Sequence, residues 1–146
     1  MTIDEYHRRR IALGVPDGAT DLMDDVAMDA GYDLLHAISF SKGCYVGQEV
    51  TARMHYKQIA RRGFYIVESD HDLPVAGTPV HYGELIAGTL RGSHGRQGLA
   101  MLKFGEVAAA MAAHAALTVD NRPVSVRAPA WLAPKLALFQ EAHRKQ

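Results

Sequence analysis

Residues 77–102 read GTPVHYGELIAGTLRGSHGRQGLAML, a run in which short apolar segments alternate with glycines and a proline. Segments rich in Val, Ile, Leu and Tyr favour extended structure, and glycine and proline divide that structure into short pieces. The pattern therefore predicts strands at 79–82, 85–90 and 98–102. The glycine-rich residues 91–96 are predicted to form a mobile turn between the last two strands.

The sequence on either side of this stretch predicts further strands. The β-rich segments GFYIV and VSVR occupy residues 63–67 and 124–127, and Asp120-Asn121-Arg122 between LTV and VSV is typical of a hairpin turn. Several short strands at close spacing indicate a small antiparallel Greek-key β-barrel. Together with the helices predicted around it, this barrel makes the fold class α+β.

Helices are predicted near both ends of the chain and within the barrel region. TIDEYHRRRIALG has Thr2 or Asp4 as its N-terminal cap and ends at Gly14. VAAAMAAHAAL, residues 107–117, is the strongest helix former by composition. The tail, residues 131–146, is predicted to be a helix that packs on the barrel. Helical spacing places Ile3, Tyr6, Arg10 and Ile11 on one face of the first helix, and Trp131, Leu132, Leu136 and Phe139 on one face of the tail.

The composition excludes several classes of protein. The chain has 146 residues, is 48% hydrophobic and 22% charged, and carries no formal net charge. This balance argues against a nucleic-acid binder held by bulk electrostatics, and every apolar run is shorter than the ~20 residues of a membrane span. A single cysteine excludes an intramolecular disulfide and a zinc site with several Cys ligands. The polar N-terminus does not resemble a secretory signal, so we expect a cytoplasmic protein.

The densest group of reactive and polar residues is KGCYVGQE, residues 42–49. Its two glycines allow the backbone to approach a ligand closely. Cys44 lies beside Lys42 and near a predicted helix start, and both features favour the thiolate. The other members supply a flat ring, hydrogen-bonding groups and an intrahelical ion pair with Arg53. The candidate site residues are Lys42, Gly43, Cys44, Tyr45, Gly47, Gln48, Glu49 and Arg53.

Purely structural interpretations of the same residues stay open. Cys44 can be a small buried hydrophobic residue and Glu49–Arg53 a surface ion pair. Residues 7–10 are predicted to be a solvated basic helix face rather than an RNA contact. Residues 53–62 form a second basic group, which either ends a helix with exposed charges or meets a folate glutamate tail or a nucleic-acid phosphate. Trp131 is predicted to be a core or docking residue.

SFSKGCYVGQEVTAR resembles the signature of the YgfZ-like proteins, relatives of the glycine-cleavage T-protein (aminomethyltransferase) superfamily. Every fixed position of the family pattern K-G-C-Y-x-G-Q-E is present in residues 42–49. RRRIALGVP is similar to the family's R-I-x-x-G-x-P element, and residues 77–102 resemble strands of the superfamily's C-terminal barrel. The residues that match the R-I-x-x-G-x-P element are Arg10, Ile11, Gly14 and Pro16.

The resemblance implies a protein that binds tetrahydrofolate or a derivative and supports iron–sulfur enzymes, including enzymes that methylthiolate tRNA. It implies that Cys44 is the functional thiol, because true aminomethyltransferases carry a motif without this Cys. The expected partners are a folate and iron–sulfur enzymes or assembly proteins, with no membrane, no direct nucleic-acid binding and no metal site.

The resemblance also implies a domain organisation, because family members extend further at the N-terminus. Residues 1–60 correspond to the end of the folate-binding body and carry the motif. Residues 61–130 correspond to the barrel, and residues 131–146 to a helix packed on it.

Two other functions stay open at this point. The superfamily resemblance favours a folate-dependent aminomethyltransferase, or one-carbon transferase. The short N-terminal part and the two basic groups favour a folate-free barrel module that docks on a protein or an RNA.

Overall fold

The computed structural model of the chain describes residues 2–17, 21 and 61–144. Within them, antiparallel strands close into a barrel in the order β1-β4-β3-β2-β5-β6. Strands β2, β3 and β4 follow one another as hairpins, and β1 lies beside β4, which is the Greek-key arrangement. The predicted α+β fold with an antiparallel barrel is confirmed. The strands are β1 (Arg62–Glu68), β2 (Pro79–Tyr82), β3 (Leu85–His94), β4 (Gln97–Lys103), β5 (Leu117–Val119) and β6 (Arg122–Arg127).

Strand β1 is buried on both faces, which explains why its sequence reads as a continuous apolar run. Tyr65 and Val67 point into the barrel interior, where they belong to the main hydrophobic cluster. Phe64 and Ile66 belong to a second cluster, which they share with Ile11 of the N-terminal helix. A strand covered on both sides does not show the alternation of a half-exposed strand.

Strand β3 is longer than predicted, because residues 91–94 continue the strand instead of forming a turn. Only Gly95 and Arg96 make the turn into β4, and Gly95 has a left-handed φ of 66°. The predicted turn began too early because Gly92, a residue type that favours turns, lies within β3. A glycine inside a strand often marks a close approach of another segment, and at Gly92 that segment contains Asp21.

The predicted turn at 120–122 is confirmed. Asp120 and Asn121 have φ values of 51° and 63° and connect β5 to β6. Two successive residues in the left-handed region form the tight hairpin turn whose twist matches that of the flanking strands. Asn and Asp tolerate this conformation better than other residues with a side chain.

Helix α2 (Phe104–Ala112) crosses one end of the barrel and starts and stops earlier than predicted. Phe104, Val107 and Ala110 are buried against the barrel core. The helix ends before His114, whose φ is 53°. The predicted C-terminal boundary was wrong because Leu117 belongs to β5, where it pairs with Val124.

The tail packs on the barrel as predicted, but it forms two pieces. A 3-10 turn (Ala130–Leu132) precedes α3 (Ala133–Arg144). Pro134 lies in the first turn of α3, where the missing N–H of proline costs no hydrogen bond. Leu132 is fully buried, and the Phe139 ring meets the Phe104 ring edge-on at 5.4 Å between centroids. The predicted apolar face, Trp131, Leu132, Leu136 and Phe139, contacts the barrel core.

Helix α1 (Ile3–Leu13) has the predicted ends, but only the C-terminal part of the predicted face is covered. Thr2, rather than Asp4, caps it through a reciprocal pair of hydrogen bonds with Glu5, and Gly14 ends it at a φ of 77°. Of the predicted stripe, Ile11 is fully buried, whereas Ile3 is 76% exposed. The helical spacing of these residues is confirmed, and only the C-terminal half of α1 lies on the barrel.

No helix in the described part of the chain is long and apolar enough to cross a membrane.

Candidate functional site

The predicted motif lies outside the described residues. So do the members of the second basic group before residue 61, whereas Arg61 and Arg62 are exposed where the chain enters β1. The site predictions on the motif therefore stay predictions. The residues concerned are Lys42, Gly43, Cys44, Tyr45, Gly47, Gln48, Glu49 and Arg53.

The structure does describe the R-I-x-x-G-x-P element that precedes the motif, and Arg10, Ile11 and Gly14 of this element each have a specific contact. Ile11 fills the cluster between α1 and the outer face of β1 and β4. Gly14 leaves no room for a side chain, because a Cβ would lie 2.5 Å from the Cβ of Pro129. Pro16 is buried. The element attaches the N-terminal helix to the barrel.

Arg10 completes the element by forming an ion pair with Asp21. Its Nη1 donates to Asp21 Oδ2 at 2.6 Å, and the two side chains are 10% and 1% exposed. Its Nε donates to Nδ1 of His7 at 3.0 Å, and Nη1 also reaches the carbonyl of Val15. Residues 7–10 are thus not a uniformly solvated face: Arg8 and Arg9 are exposed, as predicted, but Arg10 is engaged.

Asp21 is the most buried charged residue among the described ones, and both its side chain and its backbone are used. The carboxylate also accepts from the backbone N–H of Asp17 at 2.8 Å. The backbone carbonyl accepts from Nη1 of Arg91 on β3 at 2.9 Å, and Arg91 is itself 5% exposed. On the same strand, a Cβ at Gly92 would collide with Asp21 Oδ1. Asp21 therefore links α1 to β3.

A second link joins α1 to the tail. Trp131 donates its indole N–H to the carbonyl of Leu13, the last residue of α1, at 3.0 Å. The ring also packs against both hydrophobic clusters. The prediction of a core or docking role for Trp131 is confirmed, and the docking partner is α1.

A polar cleft of about 330 Å³ lies between α1 and β3, beside the Asp21 link. His7 and Arg10 line it from the helix side, and Arg91, Ser93 and His94 line it from the strand side. Among the described residues, no three His, Cys, Asp or Glu side chains come together in a way that could hold a metal ion. The cleft offers hydrogen-bond donors and acceptors, and its two arginines both bond to Asp21.

The barrel corresponds to a known protein family. The C-terminal β-barrel domain of CAF17 matches residues 61–134. The chain belongs to this family.

Relatives of this CAF17-type chain carry names that state a role. It is 34% identical over 111 residues to the mitochondrial iron–sulfur cluster assembly factor IBA57 of Mus musculus, a match that covers 69% of this chain and 30% of the relative. It is 36% identical over 105 residues to the human protein of the same name, covering 67% and 30%. A mitochondrial IBA57 homologue of Neurospora crassa is 39% identical over 59 residues, covering 39% and 13%. The chain spans about 30% of the length of the mouse and human relatives.

Two tyrosines of this CAF17-type chain have hydroxyl groups with a raised pKa. A hydrogen bond to Asp17, 2.9 Å from the Tyr6 hydroxyl, raises the pKa of Tyr6, with smaller contributions from burial and from the Asp17 charge. Burial inside the barrel raises the pKa of Tyr65 much further. Tyr6 belongs to the surroundings of the cleft because Asp17 lines it, whereas Tyr65 belongs to the barrel core.

The sequence predictions missed Asp21, Arg91 and Gly92 as a connected group. Asp21 and Arg91 are 70 positions apart, so no local spacing joins them. One signal was available in the CAF17-type barrel sequence itself. Gly92 interrupts a β-rich run, and a glycine within a strand is a sign that another segment approaches closely.

Proposed function

We propose that this chain forms the barrel-bearing part of an iron–sulfur cluster assembly factor and that it supports iron–sulfur enzymes. The observation that carries the proposal is the similarity to proteins named IBA57, at 34% and 36% identity over about two thirds of the chain. The KGCYVGQE motif gives this chain a thiol that a plain docking barrel does not need.

Cys44 is the residue on which the proposed activity depends. It acts as a nucleophile, as a redox thiol or as one ligand of a cluster in transit, and the adjacent Lys42 favours the thiolate form that each of these roles requires. A cluster takes about four ligands, so a single thiol supplies only part of the set. A client enzyme, an assembly protein or a small thiol supplies the rest.

A reduced folate, tetrahydrofolate or a derivative, is the proposed small-molecule ligand. Support comes from the resemblance of residues 42–49 to the YgfZ-like signature, in which Lys42, Tyr45, Gln48 and Glu49 are motif members. Tyr45 offers a flat face on which an aromatic ring can stack. The tRNA-methylthiolating enzymes remain proposed clients on the same resemblance.

The cell compartment is part of the proposal. The relatives are named as mitochondrial proteins, and we propose that this chain acts in a reducing compartment, the cytoplasm, where its single thiol stays free. Fractionation of cells that express the tagged chain from its own gene would test the placement, and recovery in an organelle fraction would contradict it.

The first experiment tests the thiol in cells that lack the factor. Complementation by the wild-type gene, by Cys44→Ala and by Cys44→Ser is scored by the activity of an enzyme that needs a four-iron cluster. We expect both variants to fail although they accumulate as folded protein. Ser125→Ala, on the exposed side of β6, is the matched control and should complement fully. Full complementation by a folded Cys44→Ala protein would refute the thiol role.

The second experiment tests the folate. Anaerobic calorimetric titration with tetrahydrofolate is run on the wild-type chain, Lys42→Ala and Tyr45→Ala. We expect micromolar or tighter binding that both substitutions weaken, and no change for Arg122→Ala at the exposed β5–β6 hairpin. Absence of binding by the wild-type chain would remove folate from the proposal. Methylene transfer from an aminomethyl donor to tetrahydrofolate would favour the one-carbon transferase instead.

A further inference from the structure

We propose that one end of the barrel binds the side chain of an arginine that a partner protein presents. The site is a cavity of about 270 Å³, which we call the mouth cavity, between residues 69–74 and the β5–β6 hairpin. The inference goes beyond the proposed function, because it needs neither the thiol of Cys44 nor a folate.

The order of the strands explains why this end of the barrel holds a cavity. β1 and β2 lie on opposite sides of the ring, so residues 69–78, which connect them, cross the end of the barrel as a loop. The other end is covered by helix α2, whose Phe104 and Val107 belong to the barrel core. The mouth is therefore covered by a loop rather than by a helix.

Hydrogen bonds fasten this loop to one side of the mouth. The backbone N–H of Ser69 donates to the carbonyl of Arg96, in the β3–β4 turn, at 2.9 Å. The backbone N–H of Leu73 donates to the carbonyl of Gly95, in the same turn, also at 2.9 Å. These bonds hold the loop against β3 and β4, and the mouth cavity is the space toward β5 and β6.

The floor of the mouth cavity is apolar. Val119 and Val124 are buried residues of the barrel core, and Leu73 packs against the same cluster. All three line the cavity, together with Pro74. Such a surface favours the aliphatic stem of a side chain over water. The volume of about 270 Å³ is slightly below the ~300–1,000 Å³ that is usual for drug-sized ligands, so the cavity suits one side chain.

The rim of the mouth cavity carries carboxylates on two different walls. Asp72 comes from the loop and Asp120 from the β5–β6 hairpin, where a φ of 51° in the tight turn fixes its backbone. Within the part of the chain that the structure describes, no hydrogen bond or ion pair engages either carboxylate. Arg122 is the cation of this rim, and with His71 neutral the lining carries a net negative charge.

An apolar floor below an acidic rim determines the chemistry of the occupant. A side chain that enters must bring an aliphatic stem and a positive charge, which leaves lysine and arginine. The planar guanidinium of arginine offers five N–H donors, enough to reach both carboxylates at once. Arginine is also enriched among the residues that anchor protein–protein interfaces, whereas lysine is depleted there.

The first experiment titrates the full, isotope-labelled chain with N-acetyl-arginine methylamide and follows the backbone amides by NMR. We expect a dissociation constant on the order of 1 mM, ordinary for a probe of this size. The shifts should concentrate on residues 69–74 and 119–124. The same derivative of lysine should bind about threefold more weakly, and that of uncharged norleucine about tenfold more weakly. Shifts that avoid both segments would overturn the inference, and equal binding of lysine would overturn the choice of arginine.

Four variants test the charges of the rim with the same probe. Asp72→Asn and Asp120→Asn keep the shape of each side chain, and Asn accepts the left-handed backbone at 120. Each should weaken binding about threefold and the double variant about tenfold. Arg122→Ala removes the opposing cation and should strengthen binding about twofold. Glu84→Gln, in the β2–β3 hairpin at the other end of the barrel, is the matched control and should change nothing. Wild-type binding by the folded double variant would overturn the inference.

The second experiment separates a partner protein from a free small molecule. Agmatine has the guanidinium and stem of arginine without its backbone, and binding about tenfold tighter than the capped arginine would reassign the cavity to a free cation. In cells that express the chain from its own gene, a photo-crosslinking amino acid then replaces His71 on the rim. We expect a crosslinked partner peptide, sequenced by mass spectrometry, that contains an arginine beside the crosslink.

The crosslink should disappear when Asp72→Asn and Asp120→Asn are both present and should persist with Glu84→Gln. A crosslink that survives the double variant, a peptide without arginine at the crosslink, or the absence of any crosslinked peptide would overturn the assignment to a partner protein.

Discussion

Replacing Ile11 by alanine tests whether the N-terminal helix and the barrel unfold as one unit. Ile11 is fully buried between α1 and the outer faces of β1 and β4, where it meets Phe64, Leu99 and Met101 among others. It is the buried residue of α1, so its side chain supplies the apolar contact of the helix with the barrel. A loss of α1 would separate the R-I-x-x-G-x-P element from the strands.

The expected magnitude follows from the size of the cavity left behind. Truncating a fully buried isoleucine to alanine costs about 2–5 kcal/mol, and we expect about 3 kcal/mol because the site is enclosed by a helix and two strands. For a chain of this length each kcal/mol lowers the melting temperature by roughly 2–4 °C, which gives a decrease of roughly 6–12 °C. Leu13→Ala, at a side chain that is 65% exposed, is the control. We expect it to change stability by less than about 0.5 kcal/mol.

The assay is urea unfolding followed by two spectroscopic signals, which together show whether α1 and the barrel unfold at the same urea concentration. Circular dichroism reports on the whole fold. The fluorescence of Trp131, the single tryptophan, reports on the contact between the tail and α1. If α1 and the barrel unfold together, both signals give one midpoint, and that midpoint moves for Ile11→Ala. A fluorescence change at lower urea than the dichroism change, or a destabilisation below about 1 kcal/mol, would refute the reasoning.

Three further predictions concern single contacts. Trp131→Phe removes the hydrogen bond to Leu13 and should lower stability by about 1 kcal/mol, so an unchanged urea midpoint would contradict that role. Asn121→Val places a β-branched residue at a φ of 63° and should cost about 1–2 kcal/mol, whereas Asn121→Gly should melt no lower than the wild type. Burial raises the pKa of Tyr65 above its ordinary value of 10.0, so the unfolded chain releases this proton first and the free energy of unfolding falls as pH rises above 10.0. That fall should amount to about 1.4 kcal/mol per pH unit, and it should disappear in Tyr65→Phe. Urea midpoints measured below and above pH 10.0, the ordinary pKa of tyrosine, check it.

The strands of the barrel could be predicted because short stretches of neighbouring residues specify each of them. Short β-rich segments separated by Gly and Pro, such as Pro79–Tyr82, specify strands without reference to the rest of the chain. The turn at Asp120 and Asn121 is specified by residue types that tolerate a left-handed backbone. The family resemblance added the arrangement of the strands, which local patterns alone do not determine.

The errors came from features that depend on distant parts of the chain. Glycine favours turns, so the sequence predicts a turn at Gly92, but in the structure this glycine makes room for Asp21. The apolar spacing in α1 identified residues that share a face, yet it does not show whether anything covers that face. The barrel covers Ile11 and leaves Ile3 exposed.

The motif could be predicted from the sequence, whereas the contacts that Asp21 makes with Arg10 and Arg91 were not predicted. KGCYVGQE could be found because its residues are contiguous, and its proposed chemistry awaits the experiments on Cys44. The ion pair of Arg10 with Asp21 lies within reach of local reasoning, at 11 positions apart, but the bond from Arg91 does not. A contact between residues 70 positions apart depends on how the barrel closes.

The place of β1 in the strand order has a consequence for synthesis on the ribosome. β1 pairs with β4 on one side and with β6 on the other, so the strand that is made first among those described is completed by the one that is made last. Until about sixty further residues have emerged, one edge of β1 presents free backbone donors and acceptors to any other nascent chain. The interior side chains of β1, Tyr65 and Val67, face a barrel that is not yet closed for the same interval. A ribosome that stalls before Arg127 therefore leaves an open sheet, and a chaperone that covers β1 would protect this chain more than one that covers β5.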